Sequence, residues 1–166
     1  VPKAKRVYLR ASTEMSHTTL LTSRQDLHRH AGQEIAAQRV LELSGKNAND
    51  IEHVDLYSCF PFAIQSGADA LGIPTDPVPS LTGGMTFFGG PVGNYGVHSK
   101  ASMIERLRAV PGSTGAIGSV EAAAEADGPP ERVSSSSPSH LSSNATVPMS
   151  RSAWLRGPAI FDLSGG

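Results

Sequence analysis

The sequence has little of several features that define common classes of protein. A single cysteine, Cys59, excludes an internal disulfide framework and a metal cluster held by several thiolates of one chain. With 14 Lys and Arg against 15 Asp and Glu, the chain lacks the basic excess that attracts nucleic acid. No apolar run reaches the length of about 18 residues that indicates a membrane-spanning helix. We therefore expect neither a nucleic-acid partner nor a membrane span.

The first residues bear on the location and extent of the protein. The segment from Val1 to Lys5 lacks the apolar stretch of a secretory signal peptide, so we expect a cytoplasmic protein. Because the sequence starts with Val1 rather than Met, and does so directly in a strand-like segment, we interpret it as part of a longer protein.

What is present is an alternation of strand and helix patterns over the first 120 residues, which predicts an α/β layer fold with a largely buried sheet. Helices are predicted where apolar residues recur every three or four positions, and strands where short apolar runs are bounded by turn residues. The predicted helices cover 31–44, 60–71 and a segment around 97–107; the predicted strands cover 6–10, 50–58 and 116–120.

The composition changes after residue 120. Residues 134–143 are almost entirely Ser, Pro and His, which provide too little apolar surface to offset the entropy lost on ordering. The apolar residues that follow, such as Ile160 and Phe161, are scattered and do not indicate a domain. We therefore predict one domain over 1–120 and a disordered, low-complexity tail over 121–166.

Two motifs could carry chemistry, and the first is the junction between a strand and a helix at 55–61. A helix N-terminus offers unsatisfied N–H groups and the positive end of a dipole, which can hold an anion or activate a thiol such as Cys59. The alternative is that Cys59 is simply a small buried apolar residue.

The second motif is rich in glycine: Gly83-Gly84, followed by Gly89-Gly90-Pro91-Val92-Gly93. Such a loop lets the backbone approach a ligand closely and can cradle a carbonyl oxygen or a phosphate. It lacks the Lys of a P-loop and the glycine spacing of a dinucleotide fingerprint. Tight turns around the start of a helix would explain it equally well.

Taken together, in this order and spacing, the two motifs resemble the C-terminal half of the thiolase superfamily over about residues 1–115. The nearest likeness is to bacterial acetyl-CoA acetyltransferases and to thiolases of the sterol-carrier-protein type. The resemblance implies a layered α/β half-domain with a mixed sheet, and acyl transfer through a cysteine thioester. It further implies a coenzyme A thioester as substrate, no permanently bound cofactor, and a homodimer.

The resemblance also assigns candidate residues. Thiolases carry Asn-Glu-Ala-Phe or His-Asp-Cys-Phe at the strand end, and the first residue helps to hold a catalytic water in an oxyanion hole. Tyr57 takes that first place here, as a candidate catalytic residue. The implied substrate-binding residues are those of the two motifs: Ser58, Cys59, Phe60, Gly83, Gly84, Gly89, Gly90 and Pro91.

The sequence departs from the thiolase pattern at several points. The family's Gly-His-Pro motif reads Gly89-Gly90-Pro91, so the histidine that activates the nucleophile is absent. His98 is the remaining candidate acid or base, with a solvent-facing helix histidine as the alternative. The acyl-accepting cysteine belongs to the N-terminal half of the family, and the late Cys-x-Gly motif has no counterpart after Gly115.

These departures leave three hypotheses. The chain is a fragment of an acyltransferase and inactive alone, a non-catalytic protein that binds an acyl thioester or a partner, or a remnant that does not fold stably. We expect no metal site, because His28 and His30, with His17 nearby, lack a third ligand at diagnostic spacing.

Overall fold

A four-stranded mixed sheet organises the molecule. The computed structural model describes residues 1–15, 21–90, 94–118 and 158–163. The strands follow the order β1-β4-β3-β2, with β2 parallel to β3 and the other two pairs antiparallel. This confirms the predicted α/β class with a mixed sheet. The strands are β1 Tyr8–Ser12, β2 His53–Leu56, β3 Thr114–Gly118 and β4 Ala159–Asp162.

The helices form where the local signals are strongest. The longer ones are α1 Ala31–Ser44, α2 Pro61–Leu71 and α4 Tyr95–Ala109; α3, Met85–Phe88, is a single turn. Helix α1 starts where the His30 ring nitrogen Nδ1 accepts the Gln33 N–H at 3.0 Å. It ends at Gly45, whose φ of 66° is a left-handed conformation that glycine adopts without strain. The prediction of a helix over 31–44 is therefore confirmed.

Helices cover both faces of the sheet. Successive strand residues point to opposite faces, so neighbours in sequence enter different cores. Ile117 packs with Met103 and Leu107 of α4, whereas its neighbour Ala116 packs with Val40 of α1. Helix α2 packs beside α1, and its residues Ala68 and Leu71 pack against Leu56 of β2. The fold is thus three-layered, with α4 on one side of the sheet and α1 and α2 on the other.

The position of β4 differs from the prediction for the chain's end. Residues 159–162, assigned to a disordered tail, form a buried strand between β1 and β3, where Asp162 is paired with Arg10 at 2.8 Å. A strand of four residues has no local periodicity, and its order comes from pairing with residues far away in the sequence. The predicted domain boundary and the Ser- and Pro-rich segment lie within 119–157, outside the described residues.

Within the described ranges, no helix is long and apolar enough to cross a membrane.

Candidate functional site

The two sequence motifs meet at the carboxyl end of β2. The Met85 N–H donates to Ser58 Oγ at 2.8 Å, which joins the first turn of α3 to the segment that links β2 to α2. Gly84 lies against the same hydroxyl: a Cβ built there would come within 2.5 Å of Ser58 Oγ. Its φ of 78° also favours glycine. The strand-end turn and the glycine loop therefore form one site.

A buried carboxylate holds the loop that precedes the glycines. Asp55 is 0% exposed and points to the α4 side of the sheet. Its Oδ1 accepts from Ser80 Oγ at 3.0 Å, from Thr82 N–H at 3.0 Å and from Thr82 Oγ1 at 2.9 Å. Hydrogen bonds to a charged acceptor are stronger than those between neutral groups. Asp55 therefore fixes the course of residues 80–82 beside the strand end.

Tyr95, the first residue of α4, completes this network. Its phenol oxygen lies 2.9 Å from Thr82 Oγ1 and 3.5 Å from Asp55 Oδ2. Burial is the main cause that raises the pKa of Tyr95 above its usual value. Its ring meets the Tyr57 ring edge to face, with centroids 5.2 Å apart. Tyr95 thus links the buried carboxylate to the candidate pocket residue Tyr57.

His98 lies one turn further along α4. Its Nε2 is 3.3 Å from Asn94 Nδ2, and since an amide nitrogen can only donate, Nε2 is the acceptor of that hydrogen bond. The ring packs edge to face on Phe88, with centroids 5.6 Å apart. His98 is therefore half-buried against α3 rather than a solvent-facing helix histidine.

The surface beside the site carries exposed aromatic side chains. Phe60 is 71% exposed and Phe87 is 86% exposed, one on each of the two motifs. The thiol of Cys59 is also exposed, so the alternative of a small buried apolar residue is wrong.

No protein-family model matches the sequence, and no curated protein matches it. Among solved structures, a monomeric SCP2-thiolase-like protein type 1 from Mycobacterium smegmatis matches 100% of this chain, with a TM-score of 0.70 and 27% sequence identity. The chain belongs to the thiolase-like superfamily.

This thiolase-like chain spans 31% of the length of the Mycobacterium smegmatis protein. The peroxisomal 3-ketoacyl-CoA thiolase of Saccharomyces cerevisiae is a more distant match, with a TM-score of 0.45 and 17% identity over 78% of this chain and 27% of that one.

The structure brings most of the predicted site residues of the thiolase-like chain together. Those at the strand end and those of the first glycine pair meet through Ser58 and Gly84. Gly89 and Gly90 follow α3: the Gly89 N–H donates to the Met85 carbonyl at 3.0 Å, and a Cβ on Gly90 would lie 2.7 Å from Met85 Cε. Pro91 lies outside the described residues.

Sequence reasoning missed the polar residues that support the site. Asp55, Thr82 and Tyr95 were given no role, yet they connect β2, the loop and α4. One signal was available: Asp55 is an acidic residue between the apolar residues Val54 and Leu56, and such residues are rarely buried without partners.

The histidines of the 17–30 region do not form a metal site in the part of the chain that the structure describes. No group of three His, Cys, Asp or Glu residues there is arranged to hold a metal ion. The His30 Nδ1 lone pair is already used at the start of α1, and His17 lies outside the described residues.

A separate open cleft of about 360 Å³ lies at the start of α1. It shares no residue with the site at the end of β2, and two of its charged side chains, Arg29 and Glu34, pair with each other at 2.7 Å. The chemistry of the two motifs therefore points to the β2 site rather than to this cleft.

Proposed function

We propose that this chain is part of a thiolase-like acyltransferase of the acetyl-CoA acetyltransferase type, which acts on coenzyme A thioesters, and that it is inactive alone. The observation that carries the proposal is the junction of the strand-end turn with the glycine loop, through the Met85 N–H and Ser58 Oγ. The likeness to an SCP2-thiolase-like protein over the whole of this chain supports it.

The proposed mechanism is acyl transfer through a cysteine thioester, as Claisen condensation or its thiolytic reverse. The nucleophilic cysteine comes from the rest of the longer protein. Tyr57 lines the pocket at the first oxyanion position, and a developing oxyanion needs preorganised donors. His98 is the candidate acid or base, since its ring is half-buried beside the glycine loop.

The hydrogen bonds narrow the choice of loop donors. The Gly84 N–H donates to Thr82 Oγ1 at 3.2 Å and the Gly89 N–H to the Met85 carbonyl, so neither is open to a ligand. Within the described residues, the Gly90 N–H makes no hydrogen bond. Of the pair Gly89 and Gly90, we therefore assign the contribution near the thioester oxygen to the Gly90 N–H.

A second candidate function is binding of an acyl thioester, or of a partner, without turnover. Gly90 favours it, because this residue stands where thiolases carry the histidine that activates the nucleophile. A side chain could be restored there, since Gly90 has no left-handed φ and the nearest atom to its Cβ would be Met85 Cε, the far end of a flexible side chain.

The test compares Gly90→His with the parent, each joined to the rest of the longer protein, in an assay of acetoacetyl-CoA cleavage. Activity in the parent supports the acyltransferase; activity only in Gly90→His supports the binding protein. Gly90→Gln is the matched control, because it adds a side chain of similar size that cannot take up a proton. Absence of acetoacetyl-CoA binding by all three proteins would contradict both functions.

Assembly and location are part of the proposal. The resemblance to thiolases predicts a homodimer, whereas the Mycobacterium smegmatis protein is monomeric. Analytical ultracentrifugation of the longer protein distinguishes the two states, and a cytoplasmic location stays a prediction.

A further inference from the structure

A network of hydrogen bonds links a buried carboxylate to the residue before α3. Asp55 accepts from the Thr82 hydroxyl, whose oxygen lies 2.9 Å from the Tyr95 phenol and accepts the Gly84 N–H. The members of this network lie on β2, on the loop before α3 and on α4, which are separate parts of the sequence. Of these four residues, only Gly84 was expected to contribute to the site.

The carboxylate organises this network of hydrogen bonds. Asp55 only accepts, so the Thr82 hydroxyl donates its single proton to Oδ1. The Thr82 oxygen accepts the Gly84 N–H at 3.2 Å. The single phenol proton of Tyr95 therefore lies between two acceptors, the Thr82 oxygen at 2.9 Å and Asp55 Oδ2 at 3.5 Å. Both acceptors hold the phenol at the same place beside the loop.

Tyr95 is the member of this network that contacts the candidate pocket residue Tyr57. Its phenol is held by Thr82 and by Asp55, and its ring is buried, so the ring has a fixed orientation. That ring is the surface against which the edge-to-face contact with Tyr57 is made. An edge-to-face pair depends on the angle between the rings, which is 71° here. The orientation of Tyr95 therefore sets that of Tyr57.

We propose that Tyr95 is a positioning residue, which holds the Tyr57 ring and the Gly83–Gly84 turn in a single arrangement through its buried phenol. The proposal rests on the proposed function, because the arrangement serves a thioester pocket lined by Tyr57. Tyr95 itself does not reach a ligand, since only 1% of it is exposed. It acts through Tyr57 and through the loop.

The first test measures position without any ligand. Tyr95→Phe keeps the ring and removes only the phenol oxygen. The chain contains three tyrosines, so selective labelling of tyrosine rings gives NMR spectra that are simple to assign. We expect the Tyr57 ring signals to shift in Tyr95→Phe, while those of Tyr8 on β1 stay in place. Unshifted Tyr57 signals in a folded Tyr95→Phe would overturn the proposal.

Tyr8→Phe is the matched control, because it removes the same phenol oxygen from a strand outside the network. It should leave the Tyr57 signals unchanged, and a shift of equal size in both variants would count against a specific role for Tyr95. If Tyr95→Phe does not fold, Thr82→Val tests the same network, because it removes the half-buried hydroxyl that contacts the Tyr95 phenol. Tyr57 signals that do not respond to Thr82→Val would then overturn the proposal.

The second test adds a ligand and separates this inference from the proposed function. In the longer protein, Tyr95→Phe should weaken acetoacetyl-CoA binding about tenfold, which corresponds to the loss of one or two hydrogen bonds in the pocket's support. Unchanged affinity in a folded variant would overturn the positioning role. A parent protein that binds no acyl thioester would defeat the proposed function alone, since the NMR result does not depend on a ligand.

Discussion

The buried polar groups at the two ends of strand β2 differ in their hydrogen bonding. His53 and Asp55 are two residues apart, so both face α4. At the carboxyl end, Asp55 has four donor groups within 3.5 Å. At the amino end, the buried His53 Nε2 has no hydrogen-bond partner within the described residues. The supporting hydrogen bonds are thus concentrated at the end of the strand where the two motifs meet.

This difference separates the site from the scaffold. The loop at 80–82 has no helix or strand to order it, and a buried carboxylate substitutes for one by accepting its donors. Strand β2 itself needs no such support, because its backbone is ordered along its whole length by pairing with β3. Three substitutions test this difference between the two ends of β2, and the largest effect is expected at Asp55.

Replacing Asp55 should destabilise the protein more than any other change considered. Asp55→Ala leaves the half-buried donors of Ser80 and Thr82 without their acceptor, and we expect a loss of about 3 kcal/mol in the free energy of unfolding. Chemical denaturation followed by circular dichroism measures it. The parent should unfold in one cooperative transition, and its absence would instead support the hypothesis of a chain that does not fold stably.

The matched control is Asp69→Ala, which removes an exposed carboxylate from α2. It should change the free energy of unfolding by less than about 0.5 kcal/mol. Equal losses in the two variants would contradict the special role of the carboxyl end of β2.

A side chain at Gly84 should have the next largest effect. Gly84→Ala adds a strained left-handed φ and a contact of 2.5 Å with Ser58 Oγ. Gly112→Ala has a similar strain, with a φ of 89°, but nothing lies within 4 Å of its Cβ. We expect both to destabilise the protein by about 1 kcal/mol through the backbone, and Gly84→Ala by about 1–2 kcal/mol more.

Thermal melting of the two glycine variants gives the comparison directly. If Gly112→Ala is as destabilising as Gly84→Ala, the contact between the glycine loop and the strand-end turn carries no energy of its own.

The smallest effect is a pH dependence at the amino end of β2. Burial, followed by the nearby positive charge of Arg106, lowers the pKa of His53 below its ordinary value of 6.5, while Glu52 opposes the shift. The unfolded state then binds a proton more readily than the folded state. The stability due to His53 is therefore complete above pH 6.5 and is lost as the pH falls below that value.

Urea unfolding at a series of pH values between 8 and 5 measures this contribution. His53→Leu should have a flatter pH profile than the parent below pH 6.5, because it removes the titrating ring and leaves Arg106 and Glu52 in place. Parallel profiles for the two proteins would show that His53 does not contribute.

The helices could be predicted to within a few residues because their limits are local. Gly45 and Gly72 end α1 and α2 in left-handed conformations, and Pro61 begins α2 at a position where its missing N–H has no consequence. Strand β4 could not be predicted in the same way. Ile160 and Phe161 are apolar residues without periodicity, and only their pairing with β1 and β3 makes them a strand.

The candidate site could likewise be predicted only in part. The resemblance to thiolases assigned the strand-end turn and the glycine loop to one site, and in the structure Ser58 joins that turn to Gly84 and Met85. The network behind it was not predicted, because Asp55 and Tyr95 are 40 residues apart and each has an ordinary local setting.

The limits of the helices and the α/β class could be derived from the sequence alone. So could the presence of two motifs, one that contains Cys59 and one that is rich in glycine. These features follow from backbone conformation and from apolar spacing, which act over a few residues. Only the tertiary structure decided that residues 159–162 lie inside the sheet and that Asp55, Thr82 and Tyr95 share a hydrogen-bond network. Burial and pairing of groups distant in sequence depend on the whole fold, so no local pattern could reveal them.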